Sequence, residues 1–331
     1  MRDARLALAF PQPPVGRLAI LGADGSEDLS VFDPQHTLIV EGMAHHHDAL
    51  QARGFQTATS PENHPAFDTV LVTLPRSRDA ARARVALGAG ILSPDGALWV
   101  DGQKTDGIEP MLKEIKGFSA ISEVHSKAHG KIARIDDPGS VPGDWAARHL
   151  TPAPGFTTLA GVFSAEAIDP ASAMLAKALP DKLPSRIVDL GAGWGWLSAQ
   201  ILAHPGVGVL HLVEADHAAL ECARANVTDA RAQFHWADAR SFRLPEPVNG
   251  VIMNPPFHAG RSAEPALGAA FIRAAASLLT GAGRLWMVAN RHLPYEAELA
   301  RHFADVAEIG GDNRFKILTA TGAGAKQRRS R

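Results

Sequence analysis

Short apolar runs stopped by glycine, proline or a charged residue recur along the chain, with longer helix-like stretches between them. In the first half, residues 17–22, 36–42 and 69–74 read as buried strands, 78–92 has helical composition, and 96–100 is a further strand. The runs 186–190, 209–214, 234–238 and 250–253 have the same character in the second half. Strands alternating with helices predict an α/β fold built on a parallel sheet.

The layout occurs twice. Residues 92–100 parallel residues 279–287, with Gly96 against Gly283 and Trp99 against Trp286. Further on, Phe118, Glu123, Val124, Lys131 and Ile132 fall opposite Phe303, Glu308, Ile309, Lys316 and Ile317 at one constant offset of 185. The register predicts a duplicated domain, spanning 1–135 and 161–322, joined by a Pro- and Gly-rich linker at 136–160. Trp145, within that linker, is expected to pack between the domains. A short basic tail, 323–331, closes the chain.

The copies differ where chemistry would sit. Thr73-Leu74-Pro75-Arg76 stands in the first copy where Asn254-Pro255-Pro256-Phe257 stands in the second. The first also has only Gly22-Ala23-Asp24-Gly25 in place of a fuller glycine loop. The first domain is therefore expected to keep the fold without the reaction.

In the second copy, Asp189 lies in a strand that runs into Gly191, Gly193 and Gly195, followed by a helix from Trp196. Glycines let backbone approach a ligand closely, and a helix start offers unpaired N–H groups. The spacing is Gly-x-Gly-x-Gly, not the Gly-x-Gly-x-x-Gly of dinucleotide binders. A second strand ends in Glu214, twenty-three residues after Gly191, where a carboxylate can accept both hydroxyls of a ribose. A third ends in Asp238, suited to accept from an adenine amino group or to cap the next helix. The fourth runs out at Asn254-Pro255-Pro256-Phe257, a corner stiffened by two prolines. It offers the Asn254 side-chain oxygen and the Pro255 carbonyl as fixed acceptors beside one aromatic ring, which suits a planar base carrying an NH2 group. All four features fall at the carboxyl ends of successive strands, where open α/β sheets bind ligands.

Composition narrows the setting. One cysteine, Cys222, excludes an internal disulfide and fits a reducing compartment, so a cytoplasmic location is expected. No apolar stretch approaches the ~20 residues that span a bilayer, and the N-terminal apolar stretch is too short for a signal peptide. His45-His46-His47 has no matching ligands at useful spacing; a solvated loop without metal is expected. Lys and Arg number 15 against 19 Asp and Glu in residues 1–150, and 18 against 16 in the remainder. Any polyanion binding must come from a local patch, such as the four cations in residues 326–331.

With these residues assembled, the chain resembles class I S-adenosylmethionine-dependent methyltransferases with an Asn-Pro-Pro-Phe/Tyr turn. Within them it is most similar to the bacterial tandem-domain ribosomal RNA guanine-N2 methyltransferases. The matches are residues 161–164 with Asp169, residues 254–258, residues 288–290 through 293–295, and Arg314-Phe315-Lys316. The resemblance implies two tandem Rossmann-like domains, the first degenerate, acting as a monomer on ribosomal RNA or a ribosomal subunit. It implies that Gly191, Gly193 and Gly195 cradle the methionine part of S-adenosylmethionine, with Asp189 beside them, Glu214 on the ribose and Asp238 on the adenine. Phe163 and Asp169 would close over the cofactor, Asn254 and Pro255 would hold the target amine, and Phe257 would stack on the base next to Pro256. Two other readings stay open on the residues: the same turn acting on adenine N6 or a protein glutamine, and a ribosome-assembly factor that binds RNA without catalysis.

Overall fold

The computed structural model describes residues 2–256, 258–259, 262–263 and 265–324. The chain divides into two compact units, residues 1–149 and 150–331.

The first unit contains α1 (Asp3–Ala9), β1 (Leu18–Leu21), β2 (Thr37–Val40), α2 (Ala44–Ala52), β3 (Gln56–Ala58), β4 (Phe67–Thr73), α3 (Arg78–Gly90), β5 (Leu92–Gln103), α4 (Ile108–Ile115), β6 (Ile121–Lys127) and β7 (Gly130–Ile135). The second opens with a hairpin, β8 (His149–Ala153) and β9 (Phe156–Leu159), then α5 (Pro170–Ala178), β10 (Arg186–Leu190), α6 (Trp196–Leu202), β11 (Val209–Glu214), α7 (His217–Asn226), β12 (Ala232–Trp236) and β13 (Val248–Met253). It continues through β14 (His258–Ala259), β15 (Ser262–Ala263), α8 (Pro265–Leu278), β16 (Leu279–Asn290), α9 (Tyr295–His302), β17 (Asp305–Gly311) and β18 (Phe315–Thr321).

Both units carry a seven-stranded sheet with the same strand order: β3-β2-β1-β4-β5-β7-β6 in the first, β12-β11-β10-β13-β16-β18-β17 in the second. In each, five strands run parallel and the last two pair antiparallel. One irregularity corresponds as well. The β4–β5 register slips between Phe67 and Thr69, and the β13–β16 register slips between Val248 and Gly250. Lys131 pairs with Glu109 at 2.8 Å in the first unit, and Lys316 with Glu296 at 2.6 Å in the second. The duplication read from spacing is thus present as topology, pairing and side-chain contact.

Each sheet is covered on both faces, which is why its inner strands read as unbroken apolar runs. In the second unit Val188, Leu190, Val251 and Met253 face one core with Phe271, Ile272 and Ala275 of α8. Ile187, Leu210, Leu212 and Ile252 face the other, with Leu175 of α5 and Leu197 and Ile201 of α6.

Three expectations differ from the structure. Residues 136–160 carry structure of their own, with 3-10 turns at Pro138–Ser140 and Gly143–Trp145 before the β8–β9 hairpin. Trp145 is buried in the first unit's own core, edge-on to Phe118 and under the Arg82 guanidinium. An indole of that size finds cover in the nearest apolar groove, and here α3 and Phe118 provide it. The three histidines begin helix α2 and are not a loop, because Leu50 buries into the core and carries the turn with it. No helix among the described residues is long and apolar enough to cross a membrane.

Candidate active site

The second sheet delivers its chemistry at one edge. β10 ends at Leu190 and the chain turns through Gly191, Gly193 and Gly195, all in the left-handed region with φ of 84°, 55° and 88°. The turn is stitched to β11 by the N–H groups of Gly191 and Ala192, which both donate to the Val213 carbonyl. The glycines are not equivalent. A Cβ at Gly195 would lie 2.9 Å from Val227, so this glycine lets α6 and α7 pack closely. A Cβ at Gly193 would meet nothing within 4 Å, so this position faces open space.

That space is a pocket of about 430 Å³, lined by Phe163, Asp169, Gly191, Gly193 and Asn254 among the expected residues. That volume includes open solvent and the enclosed part is only about 50 Å³, so the pocket is the floor of an open cleft. Ser172, Trp194 and Trp196 also line it. Glu214, at the end of β11, binds the turn from behind: its carboxylate accepts from Gly193 N–H at 2.8 Å and from Asp216 N–H at 2.9 Å. Burial raises the carboxyl above its usual range, and these backbone donors oppose the shift.

Asp189 is fully buried in β10, one residue before the strand ends. One of its oxygens accepts from the Ser198 hydroxyl at 2.6 Å, while the other has no partner among the described residues. Burial pushes its pKa up to about 7, against the Ser198 hydrogen bond and with help from the Glu214 charge.

Asn254 follows β13 directly. Its Nδ2 donates to Asp169 Oδ2 at 2.8 Å and contacts Ser172 Oγ at 2.8 Å. Asp169 is the N-cap of α5, accepting from Ser172 N–H at 2.7 Å. Pro255 is buried and Pro256 exposed. Phe257 and the basic residues 326–331 lie outside the described residues. Asp238 sits apart from the pocket lining and neither caps a helix nor stands with both oxygens open. Its carboxylate accepts from Arg240 Nε at 2.9 and 2.8 Å.

Sequence reasoning missed the brace of the pocket. The Trp194 indole N–H donates to the Phe163 carbonyl at 3.1 Å, and its ring meets Phe156 edge-on. Asn226 donates to the Trp194 and Thr157 carbonyls, both at 2.8 Å, and accepts from Thr157 N–H at 2.8 Å. These contacts tie the glycine turn to the β8–β9 hairpin and leave Phe163 exposed at the pocket mouth. The one local signal is a tryptophan inside a glycine turn, where a small residue would ordinarily stand.

A family profile described as "Methyltransferase small domain" matches residues 154–319, the span that holds this whole arrangement. The chain belongs to that family. This methyltransferase is 30% identical over 293 residues to the ribosomal RNA small subunit methyltransferase C of Shewanella halifaxensis, covering 83% of this chain and 85% of that one. It is 28% identical over 311 residues to the protein of the same name from Shewanella piezotolerans, covering 91% and 89%. Among solved structures it is similar to a T. thermophilus 16S rRNA N2 G1207 methyltransferase in complex with AdoMet and guanosine. The TM-score is 0.78 at 24% identity, over 93% of this chain and 88% of that one. At that identity the likeness speaks for the fold, both sheets of it included.

Proposed function

We propose that this methyltransferase transfers a methyl group to the exocyclic N2 amine of a guanosine in 16S ribosomal RNA, with S-adenosylmethionine as donor. Residues 161–322 form the catalytic domain in this reading. The observation that carries it is the Asn254 amide, whose nitrogen is engaged by Asp169 and Ser172, leaving the oxygen to accept from an amine.

The residues fit the cofactor. A pocket with one open glycine, whose N–H is held by the Glu214 carboxylate, suits a cationic ligand with a ribose. Gly191 and Gly193 would line the methionine part, Gly195 would hold the turn, and Glu214 would accept from the ribose hydroxyls. Asp238 would hold the adenine by sharing a carboxylate already engaged by Arg240. When bound, S-adenosylmethionine supplies a methyl group already activated on a sulfonium, so the chain need provide neither nucleophile nor metal.

The difficulty lies in the acceptor. The N2 lone pair of guanine is delocalised into the ring. Asn254 Oδ1 and the Pro255 carbonyl, accepting its two N–H bonds, fix the nitrogen and favour the lone pair turning toward the methyl. Holding the reacting atoms in line contributes up to roughly 7–11 kcal/mol. An aromatic ring in the Phe257 role would add about 1–3 kcal/mol by stacking and hold any base without choosing. The base must be unstacked to reach this corner. Water takes the proton afterwards.

The test is nucleoside mass spectrometry of 16S ribosomal RNA, free or in small subunits, after incubation with the protein and labelled S-adenosylmethionine. Label in N2-methylguanosine is expected. Label in N6-methyladenosine, or only in protein glutamine, would replace this reading with one of its rivals.

A further inference from the structure

We infer that Asp169 is a positioning residue, which decides which end of the Asn254 side-chain amide faces the methyl acceptor. The inference rests on the reading of Asn254 as the residue that holds the target amine. The two ends of an amide are nearly the same size and chemically opposite: the oxygen accepts, the NH2 donates. A half-turn about the last side-chain bond exchanges them. Only one orientation can accept from an exocyclic amine; the other would set NH2 against NH2.

Asp169 removes the choice. Its Oδ2 lies 2.8 Å from the Asn254 nitrogen, and a carboxylate only accepts. In the flipped amide two acceptor oxygens would meet at that distance. The Ser172 hydroxyl, also 2.8 Å from the nitrogen, can donate or accept, so it follows the amide and does not direct it. The carboxylate is itself held: it caps α5, accepting from Ser172 N–H at 2.7 Å, and Pro170 stands at the first helical position. The start of a helix 85 residues earlier thus sets the direction of an acceptor at the end of β13. Asp169 lines the pocket, but its polar contacts are with Asn254 and Ser172, a different task from closing over the cofactor.

Two substitutions separate this role from capping. Serine caps a helix about as well as aspartate, but its hydroxyl is too short to reach Asn254. Asparagine caps equally well and reaches, with a carbonyl oxygen that accepts from both donors. Turnover, RNA KM, cofactor affinity and thermal stability are measured on the full chain. In Asp169→Ser, kcat should fall on the order of 10- to 100-fold while RNA KM, cofactor Kd and Tm stay near wild type. Asp169→Asn should recover most of the loss. Asp169→Thr, a second short cap, should match the serine variant. The inference is overturned if the short caps keep kcat within about threefold of wild type, or lose cofactor affinity in step with kcat. It is equally overturned if asparagine is as impaired as serine. If the wild-type chain puts no methyl on guanine N2, the functional reading itself fails and takes this inference with it.

Discussion

The two units are the same scaffold with opposite uses of their polar groups. Gly22 N–H donates to the Val40 carbonyl at 2.9 Å, as Gly191 N–H donates to Val213 at 2.9 Å. Glu41 stands where Glu214 stands, and each accepts a backbone N–H two residues on, at 2.7 and 2.9 Å. From there they part. In the second unit the Gly193 N–H goes to Glu214 and the space in front of it is open. In the first, Asp24 and Gly25 N–H go to Glu27, which is paired with Arg2. Arg5 is buried against Asp101 at 2.7 Å, and Arg84 donates to the Thr73 carbonyl at 2.8 Å, crowding Gly22. The position of Asp189 is taken by Ile20. Around its glycine turn the first unit spends these groups on one another; in the second, Asp189 keeps one oxygen without a partner among the described residues.

The sharpest way to break this comparison is Asn254→Ala. Turnover should fall by at least ~1,000-fold with cofactor affinity nearly intact, since the lost acceptor serves the transition state. Thr73→Asn in the first unit should confer nothing. Substantial activity retained in Asn254→Ala would remove the proline corner from the mechanism.

Next in size is Arg5→Ala, which leaves Asp101 buried with only the Arg2 side chain nearby. Stripping one partner from a buried pair costs about 3–5 kcal/mol, read by denaturant unfolding. Cofactor affinity should not change, because the groups that seal the first unit take no part in binding.

Asp189 ties stability to pH. Its folded-state pKa of about 7 exceeds the ordinary value of 3.8, so its proton is held more tightly in the folded chain. That contribution is fully present below about pH 4 and is lost as pH rises through about 7. Asp189→Asn, which keeps the Ser198 hydrogen bond, should flatten the fall in Tm between those values by the equivalent of a few kcal/mol. An unchanged slope would mean that the carboxyl titrates normally.

The smallest expected effect is the most direct comparison. Glu214→Gln should weaken cofactor binding roughly tenfold, about 1.4 kcal/mol, while Glu41→Gln should leave it unchanged. Equal effects would mean that the first unit still takes part in binding.

Much of this was legible in the sequence because it is local. Strand runs, the glycine turn and the Asn254-Pro255-Pro256 corner each depend on neighbours a few residues away. The offset of 185 found the duplication because a shared fold keeps equivalent side-chain pairs such as Lys131–Glu109 and Lys316–Glu296. What escaped was long-range. The Asn226 side chain spans 69 residues to Thr157, and Asp169 spans 85 to Asn254. The partner of Asp238 escaped for a nearer reason: Arg240, two residues on, answers its charge in a turn that composition does not single out.

Trp194 carries one more consequence. Two of the six tryptophans, Trp194 and Trp196, line the pocket, whereas Trp99 and Trp145 are buried in the first unit. Indole emission responds to its surroundings, so the chain contains a built-in optical reporter for this pocket. The sealed half supplies the steady background against which a titration can be followed without any label.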